Sequence, residues 1–121
     1  MLRIAVFVVS CCALAGAAPS ADFEPYRGAR KLCAEHVTGN SMHITWSTHA
    51  TSDDLNKVVA FYEQTLGRKA GTGARGERTF EAKPDRSLSI YPAARHADFP
   101  HCETKPKAAE KTVILVSRAI R

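Results

Sequence analysis

One stretch carries a clear helical period: "THATSDDLNKVVAFYEQTLG", residues 48–67. Leu55, Val58, Val59, Tyr62 and Leu66 recur at three- and four-residue spacing, so one face is apolar. Thr51 followed by Asp54 fits a capping box, and Asp53 and Asp54 suit the positive end of the helix dipole. Gly67 supplies the left-handed residue that ends a helix. A single amphipathic helix must bury its stripe against something, and the rest of the chain offers strands.

Met42, Ile44 and Trp46 alternate with polar residues, the pattern of a half-buried strand. Residues 79–83 and 88–91 read as a hairpin, with Lys83-Pro84-Asp85-Arg86 as its turn and Pro92 closing the second strand. "TVILVS" from Thr112 is a β-branched run suited to a central strand buried on both faces. The expected order is β-α-β-β-β. The class is α+β: a single small domain with one helix packed on a mostly antiparallel sheet.

The first residues, "MLRIAVFVVSCCALAGAAPSA", follow the order of a secretory signal: one basic residue, an apolar centre, then small residues. Ala15-Gly16-Ala17 matches the small-x-small pattern of a cleavage site. The apolar run is shorter than the about 20 residues a membrane-crossing helix needs, so a retained anchor is the less favoured alternative. A third reading is lipidation, because Val8-Val9-Ser10-Cys11 resembles the lipobox of bacterial lipoproteins, with Cys11 carrying the lipid. All three place the remainder outside the cytoplasm, in the periplasm or beyond. The expected organisation is a signal over residues 1–20, an irregular lead-in over 21–40 and an α+β domain over 41–121.

Cleavage after Ala17 removes Cys11 and Cys12 and leaves two of the four cysteines, Cys33 and Cys102. Outside the cytoplasm paired cysteines oxidise, so a disulfide is expected between them. Closing a loop of about 70 residues is worth about 4 kcal/mol in the chain-entropy model. The alternative is a zinc site on Cys33, His36, His101 and Cys102. Cys33-x-x-His36 has workable spacing, but adjacent His101 and Cys102 diverge in extended chain, so both reaching one ion is strained.

Loss of Arg3 takes the net charge from +5 to +4. The basic residues fall in small scattered groups with few aromatics between them, which argues against nucleic acid. A solvated surface is the expectation, with weak attraction to an anionic envelope as the less favoured alternative. Gly71-Thr-Gly-Ala-Arg-Gly76 matches G-x-G-x-x-G, but a helix precedes it and a strand follows, the reverse of a dinucleotide site. It is expected to be a mobile loop. Of the five histidines, His43 on the polar side of the first strand and His49 in the turn before the helix are the residues placed to face a ligand. No G-x-S-x-G elbow occurs, and Asp53 and Asp54 diverge as neighbours on a helix. No catalytic residue and no cofactor is assigned, and oligomeric state is left open.

The segment "DDLNKVVAFYEQTLG" resembles the helix of glyoxalase and related vicinal-oxygen-chelate proteins, where an acidic start leads through Phe-Tyr to Leu-Gly. That resemblance implies a module of order β-α-β-β-β, a cavity built from two modules, and metal ligands on the first and last strands. His43 fits the first role, whereas Thr112–Ile120 holds no Glu or His for the second. An activity of this kind would require a dimer and another ligand set. The favoured reading is a non-enzymatic exported binding or structural protein; the alternative is a dimeric glyoxalase-like protein or metalloenzyme.

Overall fold

The structure, a computed structural model, describes residues 23–82 and 85–120. The signal, cleavage and lipidation readings on residues 1–20, Cys11 included, lie outside the described residues. So do Lys83 and Pro84 of the expected turn. The elements are β1 (Arg30–Gly39), β2 (Met42–Thr51), α1 (Leu55–Leu66), β3 (Gly71–Thr72), β4 (Arg78–Ala82), β5 (Arg86–Pro92), a 3-10 turn over Ala93–Asp98, and β6 (Thr112–Ile120). The six strands form one antiparallel sheet in the order β1-β2-β6-β5-β4-β3.

The α+β class with one helix on an antiparallel sheet is present, but the order β-α-β-β-β is not the whole of it. β2, α1, β4, β5 and β6 follow that order, while β1 precedes them and the two-residue β3 is inserted. The lead-in over 21–40 therefore requires correction: residues 30–39 are an edge strand. Its alternation is hidden by a register shift between Lys31 and Cys33, which buries Leu32 out of step. From Ala34 onward β1 is exposed, so no apolar period marks it.

β6 lies at the centre, between β2 and β5, with Thr112, Val113, Ile114 and Leu115 all buried. Alternation sends Ile114 to one face and Val113 and Leu115 to the other, so each face has its own core. On the first face α1 lays Val58, Val59 and Tyr62 over Phe80, Leu88, Ile90 and Ile114. On the second, Tyr91, Val113 and Leu115 are covered by Phe99, whose ring stacks on Tyr91 at 3.9 Å between centroids. The chain that delivers Phe99, residues 93–111, has little regular structure of its own. It is fastened to the sheet instead. Arg30 grips Glu110 at 2.6 Å, and Cys33 and Cys102, the expected pair, form a disulfide with Cα atoms 6.4 Å apart.

The helix termini follow local chemistry with one change. The cap is Asp54, whose carboxylate accepts from the Lys57 amide at 2.9 Å. Thr51 is the last residue of β2, and its hydroxyl accepts from the Asp53 amide instead. Gly67 ends the helix at φ 68°, and its amide donates back to Glu63. No described helix is long and apolar enough to cross a membrane.

Candidate functional site

Six strands at about 4.8 Å spacing span about 24 Å, while a helix with its side chains is about 10 Å across. One helix cannot cover such a face. α1 sits over β4, β5 and β6, so the same face of β1 and β2 is left open. Residues 23–29 run along the flank of the helix and turn this step into a wall. Phe23 enters the core, Tyr26 meets Phe61 edge-on at 5.2 Å, and the Tyr62 hydroxyl donates to the Glu24 carbonyl at 2.8 Å. The Tyr26 hydroxyl donates to Asp53. Burial, with that carboxylate second, pushes the Tyr26 phenol up to about 12.

Between wall and open sheet lies a groove of about 430 Å³, a size typical of small-molecule sites. Phe23, Tyr62, Ile114 and Val116 make its apolar side, and Lys31, His49, Arg86 and Arg118 bring positive or polar groups to it. A shallower depression continues it across Ala34, His36 and Thr45 toward the sheet edge. Strand pairing explains the convergence. His49 pairs with Lys31 and Ile114, and His36, Thr45, Arg118 and Arg86 form one row across four strands. Glu35 and Glu81 belong to the row through Trp46, Ser117 and Ser87, which alternation turns to the opposite face. Among the described residues Lys31 and Arg118 have no ion-pair partner.

His49 is corrected from turn to strand: it lies inside β2, half-buried, with Nε2 3.3 Å from Ser47 Oγ. Burial, with the Lys31 charge second, holds its pKa below the ordinary imidazole value. Its ring is therefore neutral at pH 7. Among the described residues no carboxylate is recorded against it, so nothing orients it as the base that would strip Ser47 of its proton. The pair can hydrogen-bond a polar ligand. His43 lies on the same face but at the far end of β2, where it meets His36 rather than His49.

The four residues of the zinc alternative do not share a centre. The two sulfurs are joined to each other, His36 faces His43, and His101 packs on His96 with its Nδ1 2.7 Å from the Phe99 carbonyl oxygen. Among the described residues no three His, Cys, Asp or Glu side chains converge on a metal position. The glycine loop is not a phosphate cradle either. Gly71 and Thr72 pair with β4, the Gly73 amide donates to the Glu77 carbonyl, and a side chain at Gly73 would collide with the Glu77 carboxylate. An anion already fills the turn, and a strand follows it.

Two imidazoles, buried His96 and half-buried His49, have pKa values lowered by the fold, so acid is expected to destabilise it. His96 is 7% exposed, neither ring nitrogen has a recorded partner, and burial, then His101 and Lys105, lower its pKa. His49 is shifted the same way. The unfolded chain binds these protons near 6.5, the folded chain only at lower pH, so stability is full above about 6.5 and falls as pH drops below it. Thermal melts at pH 7.5 and 5.0 will show a lower midpoint in acid, and His96→Leu will make that fall smaller. An unchanged fall in His96→Leu would clear His96 of the effect.

No protein-family model, no curated protein sequence and no solved structure matches the chain.

Proposed function

We propose that this chain is an exported, non-enzymatic binding domain, stapled by one disulfide, that holds a small amphipathic anion in the groove beside α1. The observation that carries the reading is the sorting of charge. Lys31, Arg86 and Arg118 share the open face with His49 and the strand carboxylates lie on the other face, so that Glu24 on the wall is outnumbered three to one among the charged residues lining the groove. Cations grouped with a low-dielectric wall focus the field on an anion, and arginine can meet a carboxylate or phosphate with two parallel hydrogen bonds. The Phe23, Tyr62, Ile114 and Val116 side takes the apolar part. The same face would supply the weak attraction to an anionic envelope. Export rests on the signal-like residues 1–20 and on the disulfide chemistry.

Calorimetric titration with decanoate, dodecyl phosphate and inorganic phosphate tests it. Both amphiphiles bind, inorganic phosphate binds more weakly, and the Lys31→Gln/Arg118→Gln double variant loses about tenfold or more. Both residues are exposed, so the variant keeps its melting temperature. Binding that ignores these substitutions, or failure of both amphiphiles to bind, rules the reading out.

A dimeric glyoxalase-like protein is the second reading. It is favoured by the β-α-β-β-β order that β2, α1, β4, β5 and β6 keep within the larger sheet. A monomer by sedimentation, metal-free after native isolation, would remove it.

A further inference from the structure

At the end of the open face away from the groove, two histidines meet across neighbouring strands. His36 lies on the edge strand β1 and His43 near the start of β2. The register pairs His36 with Thr45 and His43 with Thr38, so the two imidazoles are diagonal neighbours on one face. Their facing nitrogens, His36 Nε2 and His43 Nδ1, stand 3.3 Å apart, with ring centroids at 5.4 Å. Both side chains are exposed.

We propose that His36 and His43 form a two-imidazole chelate for a divalent late first-row metal ion, with Cu2+ bound most tightly. Two imidazole nitrogens about 2.0–2.1 Å from a tetrahedral ion stand about 3.3 Å apart, and about 2.9 Å apart when they subtend a right angle. The first matches the observed separation, and the second needs a closure of about 0.4 Å that exposed side chains can make. Imidazole is a preferred ligand of copper, nickel and zinc, and copper heads the stability order. In the metal-free pair one ring donates its N–H to the other. On binding, that ring moves its proton to its outer nitrogen, so both facing nitrogens offer lone pairs and no net proton is released. Water fills the remaining positions, which the sheet edge leaves open. Arg118 is the nearest basic residue on the same row, two strands from His36, and its charge is screened by solvent.

The contrast with the other close pair defines the test. His96 is buried and His101 Nδ1 is held against the Phe99 carbonyl, so those rings do not offer a matched, open pair. The exported protein as isolated is titrated with copper(II) sulfate, followed by calorimetry and by electron paramagnetic resonance. One Cu2+ binds per chain with the signature of two imidazole nitrogens. His36→Gln and His43→Gln each weaken it by about tenfold or more, because a chelate loses its second ligand as well as its first. The double variant loses no more than either single one, and His101→Gln changes nothing. Cu2+ also raises the melting temperature of the parent, since it ties β1 to β2, and does not raise that of either single variant. Copper binding that survives both substitutions overturns the proposal. So do two small and additive losses, which mean two independent imidazoles rather than one site.

Discussion

Replacing Cys33 and Cys102 together by serine lowers the unfolding free energy by about 4 kcal/mol and the melting temperature by about 15–30 °C for a domain of this size. The pair spans 69 residues, and a cross-link over so long a loop removes much of the freedom of the unfolded chain. The folded state loses something more local. Residues 99–111 have no helix or strand to hold them, yet they place Phe99 on Tyr91 and close the second core. With the sulfurs gone, the segment is held to the sheet by the Arg30–Glu110 ion pair, by Arg30 on the Lys105 carbonyl, by the Lys111 amide on the Thr51 carbonyl and by the Phe99 contact, all non-covalent. Hydrogen exchange should therefore speed first at Tyr91, Val113 and Leu115 amides and last under the helix. Thermal and urea melts of the parent, the reduced parent and the double variant give the direct measure. A midpoint within about 3 °C of the parent would mean that packing, not the cross-link, holds the cover.

The second large effect is at Tyr62, where Tyr62→Ala costs about 3–5 kcal/mol. This ring is 1% exposed and contacts Phe61 at 4.9 Å and Phe80 at 6.2 Å between centroids. It joins the helix to the sheet and, through its hydroxyl, to the Glu24 carbonyl. Burial pushes its phenol well above the ordinary tyrosine value, so it stays neutral and keeps donating. Tyr62→Phe separates the two roles. Loss of one hydrogen bond costs about 1 kcal/mol and keeps the core filled, but it releases the Glu24 carbonyl and loosens the wall of the groove, which Phe23 and Tyr26 still anchor. The expected result is a small loss of stability with a larger loss of amphiphile binding and faster exchange at 24–29. Equal losses of stability in the two variants would show that the hydroxyl, not the ring, secures this corner.

Several elements were readable from the chain because their causes are local. The stripe from Leu55 to Leu66 and the left-handed Gly67 fix α1 within a few residues of its own sequence. The run Thr112–Leu115 has no polar side to offer solvent, so a position inside the sheet follows. Cys33 and Cys102 are far apart in sequence, but once Cys11 and Cys12 are discounted there is no other pair to form. Thr51 shows the limit of such reasoning. Its spacing to Asp54 satisfied a capping pattern, yet β2 pairs with β6 as far as Thr51↔Thr112. Strand pairing took the residue, and the cap passed to Asp54.

What tertiary structure decided was which residues share a face. β1 was invisible because an edge strand has one paired side and little burial, and the shift at Leu32 breaks its period. Without β1 there is no sheet wide enough to exceed one helix, hence no groove. Lys31, Arg86 and Arg118 then read as scattered charges; only the pairing of β1, β2, β6 and β5 sets them on one surface. His36 and His43 are seven residues apart, but they lie on two strands and no helix joins them. They meet because a tight turn after Gly39, with Ser41 at φ 60°, folds β1 back on β2. Local sequence chose the helix, the central strand and the staple, since each depends on the residues' own period or chemistry. The ligand-facing surface waited on non-local strand pairing, which no single segment of the chain encodes.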